Sequence, residues 1–133
     1  MCAATRQAAR VLTAIYDQEL RGTDVQTTQY ALLALLVKHP ESAQQQLGAW
    51  LVMEQSTLSR NLQGLMRKGW VSSRTTPGTR VARYEATASG RTAFERARPA
   101  WARAQERVKR SLGDDWDAVW HGLRRLSTLG LSF

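Results

Sequence analysis

Gln55, Ser56, Thr57, Ser59, Arg60, Gln63, Gly64 and Arg67 fall within one stretch, QSTLSRNLQGLMRKGW, which also carries Leu58, Leu62, Leu65 and Met66. On a helix each residue turns through about 100°, which gathers the leucines and Met66 on one side. Ser56, Arg60, Gln63 and Arg67 then take the opposite side, with Thr57 and Gly64 beside them. The polar side opens with hydroxyls and an amide, continues with guanidiniums, and holds no acid after Glu54. Side chains of these types hydrogen-bond base edges and phosphate oxygens. Gly64 costs about 1 kcal/mol of helix propensity, yet it leaves no side chain to obstruct close approach. The plainer alternative is an amphipathic helix with a basic surface, although a merely solvated helix usually mixes Glu with Lys.

What surrounds this stretch favours the first reading. The chain has 133 residues, 43% of them apolar, and five Trp, which suits one folded domain with a modest core. A formal charge of +8 and a pI near 10.8 call for a polyanionic partner, nucleic acid before an anionic membrane surface. The longest apolar run, Ala31 to Val37, is far too short to span a bilayer, which takes about 20 residues. The first residues lack the apolar stretch of a secretory leader, so a cytoplasmic setting and no membrane partner are expected. One Cys excludes an intrachain disulfide, and one Cys with two distant His gives no metal-ligand cluster. No Cys/His or Ser/His pairing, glycine-rich phosphate loop or paired-acid signature is visible, so neither an enzyme nor a cofactor is expected. His39 and His121 read as surface or helix-end residues.

The remaining elements follow from periodicity and caps. Ala8, Val11, Leu12 and Ile15 predict a first helix from Thr5 to about Arg21, with Gly22 as its stop and Cys2 ahead of it. Cys2 is either a frayed terminal thiol or an oxidation sensor with only Arg6 nearby to lower its pKa. Thr27 or Thr28 caps a second helix through Lys38, apolar on every side and therefore central. Ser42-Ala43-Gln44-Gln45 has capping-box spacing for a short third helix to about Trp50. Met53, Glu54 and Gln55 turn the chain into the opening stretch, which completes a helix-turn-helix pattern. Gly69 ends that helix. Trp70 to Thr75 and Arg80 to Ala86 read as strands around the turn Thr76-Pro77-Gly78-Thr79. Between Glu54 and Arg83, six basic residues (Arg60, Arg67, Lys68, Arg74, Arg80 and Arg83) face one acid, so the charge is concentrated here.

Thr87 caps a long helix to about Leu112, with Ala93, Ala97, Trp101, Ala104 and Val108 as its stripe and a kink expected at Pro99. Gly113 breaks it, and Asp114 caps a last helix. Trp116, Val119, Trp120 and Leu123, continued by Leu126, make an apolar patch too large to leave wet on a small basic protein. Either a partner chain or packing within one chain must cover it.

This order of elements resembles the MarR family of winged-helix transcription regulators. The resemblance rests on Ser56-Thr57-Leu58-Ser59-Arg60, Leu65, Lys68-Gly69-Trp70-Val71 and Thr87-x-x-Gly90, and it covers nearly the whole chain. It implies a mainly α fold with a small β-hairpin wing over residues 1–133. Within that domain, about 27–90 would form the DNA-binding winged helix-turn-helix, and about 1–22 and 91–133 the dimerisation helices. It further implies a homodimer on a pseudo-palindromic operator in double-stranded DNA, with Ser56, Thr57, Ser59 and Arg60 in the major groove and Arg80 in the minor groove. The family usually has Asp two residues before that wing arginine, where this chain has Gly78, and often an acid at the position of Gln63. Arg83 is expected to share the role of Arg80, and Arg74 to join the basic hairpin. MarR-like proteins hold effectors between the dimer helices and the winged part. There Tyr16 and Tyr30 would offer hydroxyls, Trp50 a flat wall and Arg10 a cation, which suits a small aromatic or phenolic anion. The expected function is a repressor, or less often an activator, released by such a ligand. The alternatives are oxidation sensing through Cys2, or a winged-helix module that binds protein or nonspecific nucleic acid.

Overall fold

A computed structural model describes residues 1–129. Its helices are α1 (Cys2–Leu20), α2 (Thr27–Lys38), α3 (Gln44–Leu51), α4 (Gln55–Arg67), α5 (Ala88–Leu112) and α6 (Trp116–Ser127). Its strands are β1 (Ser42–Ala43), β2 (Val71–Thr75) and β3 (Ala82–Ala86), antiparallel in the order β1-β3-β2. The architecture is the expected one, mainly α with a small wing.

The polar-apolar division of the opening stretch is what fixes α4. Leu58, Leu62 and Leu65 are buried with Leu32, Leu33 and Leu36 of α2 and Leu47 of α3, and Val71 and Ala86 close that core from the sheet. A Schellman turn ends α4: Gly69 lies at φ 74°, its N–H donates to Met66 O at 3.0 Å, and Trp70 N–H donates to Leu65 O at 3.0 Å. Directly beyond, Thr87 Oγ1 accepts from Gly90 N–H at 3.1 Å and donates to Gly69 O at 2.6 Å. A methyl group on Gly90 would stand 2.0 Å from Trp70 O. The Thr87-x-x-Gly90 motif is therefore a clamp that seats α5 on the end of α4.

A second cluster lies where α1, α2 and α5 meet. Leu20, Val25, Tyr30, Ala93, Ala97 and Ala100 are buried there, and Trp70 and Phe94 pack against both clusters. Trp101 is half-buried and organises the aromatics. Tyr30 stacks on it at 4.1 Å, and Tyr16 leans on it at 4.3 Å.

Several local expectations are corrected. Cys2 is not ahead of the first helix but its first residue, and it is exposed. Gln26, not Thr27 or Thr28, caps α2, its N–H held by Gln29 Oε1 at 2.9 Å, while Thr27 is bound to Asp17 of α1. Ser42 does not cap α3. It lies in β1, opposite Tyr84, because its hydroxyl donates to His39 O at 2.7 Å; Ala43 takes the cap position, with Gln46 Oε1 accepting from its N–H at 3.0 Å. The returning strand starts at Ala82 rather than Arg80, which leaves Arg80 in the wing tip. Pro99 lies inside an uninterrupted α5. Gly113–Asp115 form a 3-10 turn, so Asp115 and not Asp114 precedes α6.

α6 buries none of its residues against the rest of the chain. Val119, Trp120, Leu123 and Leu126 are 38–45% exposed, and Trp116 stacks on Trp120 at 5.6 Å. Ala8 and Val11 of α1 are exposed as well. Packing within one chain does not cover these faces.

Candidate nucleic-acid interface

The inward leucines of α4 point its other side at solvent. Gln55, Ser56, Arg60, Gln63 and Arg67 are exposed, and Thr57, Ser59 and Gly64 are half-buried at the border. Arg60 Nη2 donates to Thr57 Oγ1 at 3.4 Å, a turn earlier on the same face. Asn61 turns away and donates to Thr57 O at 3.0 Å, which removes its amide from the face. A methyl group on Gly64 would meet only Arg67 Nη2, at 3.9 Å, so this surface is open. Among the described residues, neither Arg60 nor Arg67 pairs with an acid. The result is a cationic ridge edged with hydroxyls and amides.

The turn that presents this ridge is tight. Val52 adopts φ 50° and ψ 50°, a left-handed conformation that a β-branched residue rarely takes, and Met53 N–H donates to Gly48 O at 3.0 Å. Gln44 Nε2 donates to Gln55 O at 3.1 Å, fastening the start of α3 to the start of α4.

The wing divides its arginines. Arg80 stands exposed at the tip, and among the described residues it has no ion-pair partner. Thr79 stiffens the turn, its N–H and Oγ1 both donating to Thr76 O at 3.0 and 3.1 Å. Arg74 is already engaged, pairing with Glu41 at 3.0 Å and Glu85 at 3.4 Å. Arg83 Nη1 donates to Glu41 O at 3.3 Å. Lys68 is also occupied: its Nζ donates to Asp24 O at 2.9 Å and sits 4.3 Å over the Trp70 ring. Sequence reasoning missed Glu41 and Asp24 because only the tertiary fold brings them to residues more than 30 positions away.

The chain belongs to the MarR family. The sequence model of that family matches residues 23–80. The M. tuberculosis transcriptional regulator MosR, whose structure was solved in complex with DNA, is 36% identical with a TM-score of 0.86, over 96% of this chain and 92% of that one. Two more distant relatives share the fold. PcaV from Streptomyces coelicolor, in complex with its natural ligand, is 23% identical with a TM-score of 0.83, over 95% and 90% of the two chains. Bordetella bronchiseptica BpsR, whose DNA binding is regulated by 6-hydroxynicotinic acid, is 18% identical with a TM-score of 0.86, over 94% and 96%. No curated protein sequence matches the chain. It is thus a winged-helix transcription regulator by family, and no helix of the described residues is long and apolar enough to cross a membrane.

The residues expected to hold an effector do not converge. Tyr16 and Tyr30 are drawn together by Trp101, and Tyr16 Oη donates to Gln105. Burial raises the pKa of both phenols, with Arg98 lowering and Glu95 raising that of Tyr30. Trp50 is instead near the far end of α2, 4.7 Å from His39 and 46% exposed. Arg10 lies on an exposed part of α1. None of the four lines either cleft of the structure. One, of about 550 Å³, lies between the end of α1 and the start of α2 and includes Asp17, Arg21 and Gln26. The other, of about 380 Å³, is bounded by Thr23, Asp24, Trp70, Ser89, Thr92 and Arg96.

Proposed function

We propose that the chain is a homodimeric, sequence-specific repressor that reads double-stranded DNA with α4. The observation that carries this reading is the acid-free outer face of α4, with Arg60 and Arg67 unpaired on it. Gln55, Ser56, Thr57, Ser59, Arg60 and Gln63 lie in the major groove, Gly64 allows close approach, and Arg67 meets the backbone. Residues of about 27–90 form the reading unit, and α1, α5 and α6 form the dimer body. Two-fold symmetry then sets the reading helices about one DNA turn apart, roughly 34–36 Å. The test is an electrophoretic shift with the DNA flanking the chain's own gene, at moderate salt and with random-sequence competitor. A retarded band that competitor does not remove is expected. Binding that random competitor abolishes would favour a nonspecific module, and no shift at all a protein-binding one.

Arg80 supplies sequence-independent affinity from the wing tip. Arg80→Ala is expected to weaken binding to every duplex and to flatten the log–log salt dependence by about one unit for the lost phosphate contact. If the slope stays at the wild-type value in a salt titration, the wing tip does not touch DNA.

A small aromatic acid is the releasing ligand best suited to the smaller cleft. Trp70 gives it a flat wall, Ser89 and Thr92 hydroxyls, and Arg96 a cation for a carboxylate. Lys68, bound to Asp24 in that cleft's wall, connects the cleft to the end of α4. A tenfold loss of operator affinity needs about 1.4 kcal/mol of preference for the released state. Titrating salicylate-like acids into the protein–DNA complex should release wild type and leave Arg96→Ala bound. Equal release of both removes the cleft from the mechanism.

A further inference from the structure

Arg74 and Arg83 are cross-strand partners in the wing. Like charges directly opposite one another repel, and the chain relieves this internally. Glu41, in the connection before β1, sits at φ 58°, in the left-handed region that non-glycine residues seldom occupy. From there its carboxylate accepts from Arg74 Nη2 at 3.0 Å, and its carbonyl accepts from Arg83 Nη1 at 3.3 Å. Glu85, the diagonal neighbour of Arg74 across the hairpin, adds a second carboxylate at 3.4 Å. Arg60, Arg67 and Arg80 have no such counter-charge among the described residues. The cations of this surface are thus of two kinds, open on α4 and at the wing tip, neutralised on the wing strands.

We propose that Glu41, with Glu85, is a positioning residue that withholds Arg74 from DNA phosphates. This inference rests on the DNA-binding reading above. Each phosphate contact strengthens binding to every sequence alike, whereas specificity is a difference between affinities. Occupying Arg74 holds the nonspecific background down and leaves Arg80 as the contact made by the wing. The ion pair is exposed, with side chains 71% and 62% accessible, so it biases Arg74 and does not lock it.

The experiment measures binding of the full chain to two duplexes across a range of salt. One carries the DNA flanking its own gene; the other is random sequence of equal length. The variants are Glu41→Gln/Glu85→Gln, Arg74→Ala, and the triple variant combining them. Removing the two carboxylates should tighten random-duplex binding severalfold at low salt and steepen the log–log slope by about one unit. Arg74→Ala alone should leave the slope unmoved, and the triple variant should return to the wild-type slope. Three results overturn the proposal: no steepening without the acids, a flatter slope for Arg74→Ala alone, or steepening that persists in the triple variant. The last would mean that the acids act only through net charge. A wild-type chain whose duplex binding shows no salt dependence would remove the DNA-binding reading and the proposal together. A normal wild-type slope with any of the three results overturns the proposal alone.

Discussion

Arg60→Ala should bring operator binding close to the level of random DNA while leaving the fold untouched. Arg60 is exposed in the middle of the α4 ridge, and its one side-chain hydrogen bond, to Thr57 at 3.4 Å, is long and weak. Nothing in either buried cluster depends on it. A base-reading arginine contributes about 1–3 kcal/mol of discrimination. A two-fold dimer loses that contribution twice, so the expected loss of operator affinity is about 30-fold at the low end and far larger at the high end. Anisotropy titrations with operator and scrambled duplexes, beside a far-UV spectrum, check both halves of the statement. Wild-type discrimination in a folded variant would take Arg60 out of the recognition set.

The second large effect concerns the end of the chain. Removing residues 114–133 should give a monomer whose body is as stable as before, because α6 buries nothing against it. What is lost is the exposed row of Val119, Trp120, Leu123 and Leu126, a patch that a small protein keeps only when another surface covers it. Binding two half-sites through one connected dimer exceeds single-site affinity by roughly 10²–10⁴, and the truncated chain should forfeit that gain. Sedimentation measures the first outcome and operator titration the second. A truncated protein that still sediments as a dimer would place the dimer contact on α1 and α5 instead. Residues 130–133 of the deleted segment lie outside the described residues.

How far the sequence was legible depended on the range of the forces involved. The apolar spacing of Leu58, Leu62 and Leu65 and the caps at Gly69 and Thr87 act over a few residues, and α4, its stop and α5 appear where those signals put them. The exact cap was less readable where two hydroxyls or amides compete. Ser42 serves the His39 carbonyl and the sheet, so the cap position moves to Ala43. The basic hairpin was visible as composition, but not the state of each cation. That Arg74 is neutralised while Arg80 is free follows from a register and from Glu41, 33 positions away. The aromatic residues misled for a related reason. Tyr16 and Tyr30 look like lone hydroxyl donors in sequence, yet Trp101 turns them into a packed trio, and Trp50 sits elsewhere.

Trp70 and Phe94 each form a wall of both buried clusters. Opening either cluster exposes the same two rings, so much of the apolar stabilisation is lost from both at once. The winged part and the helical body must therefore melt as one cooperative unit. The family-matched stretch 23–80 stops before β3 and Phe94. It is a unit of sequence similarity but not of folding, and it could not be cut out and grafted elsewhere as a self-standing DNA reader.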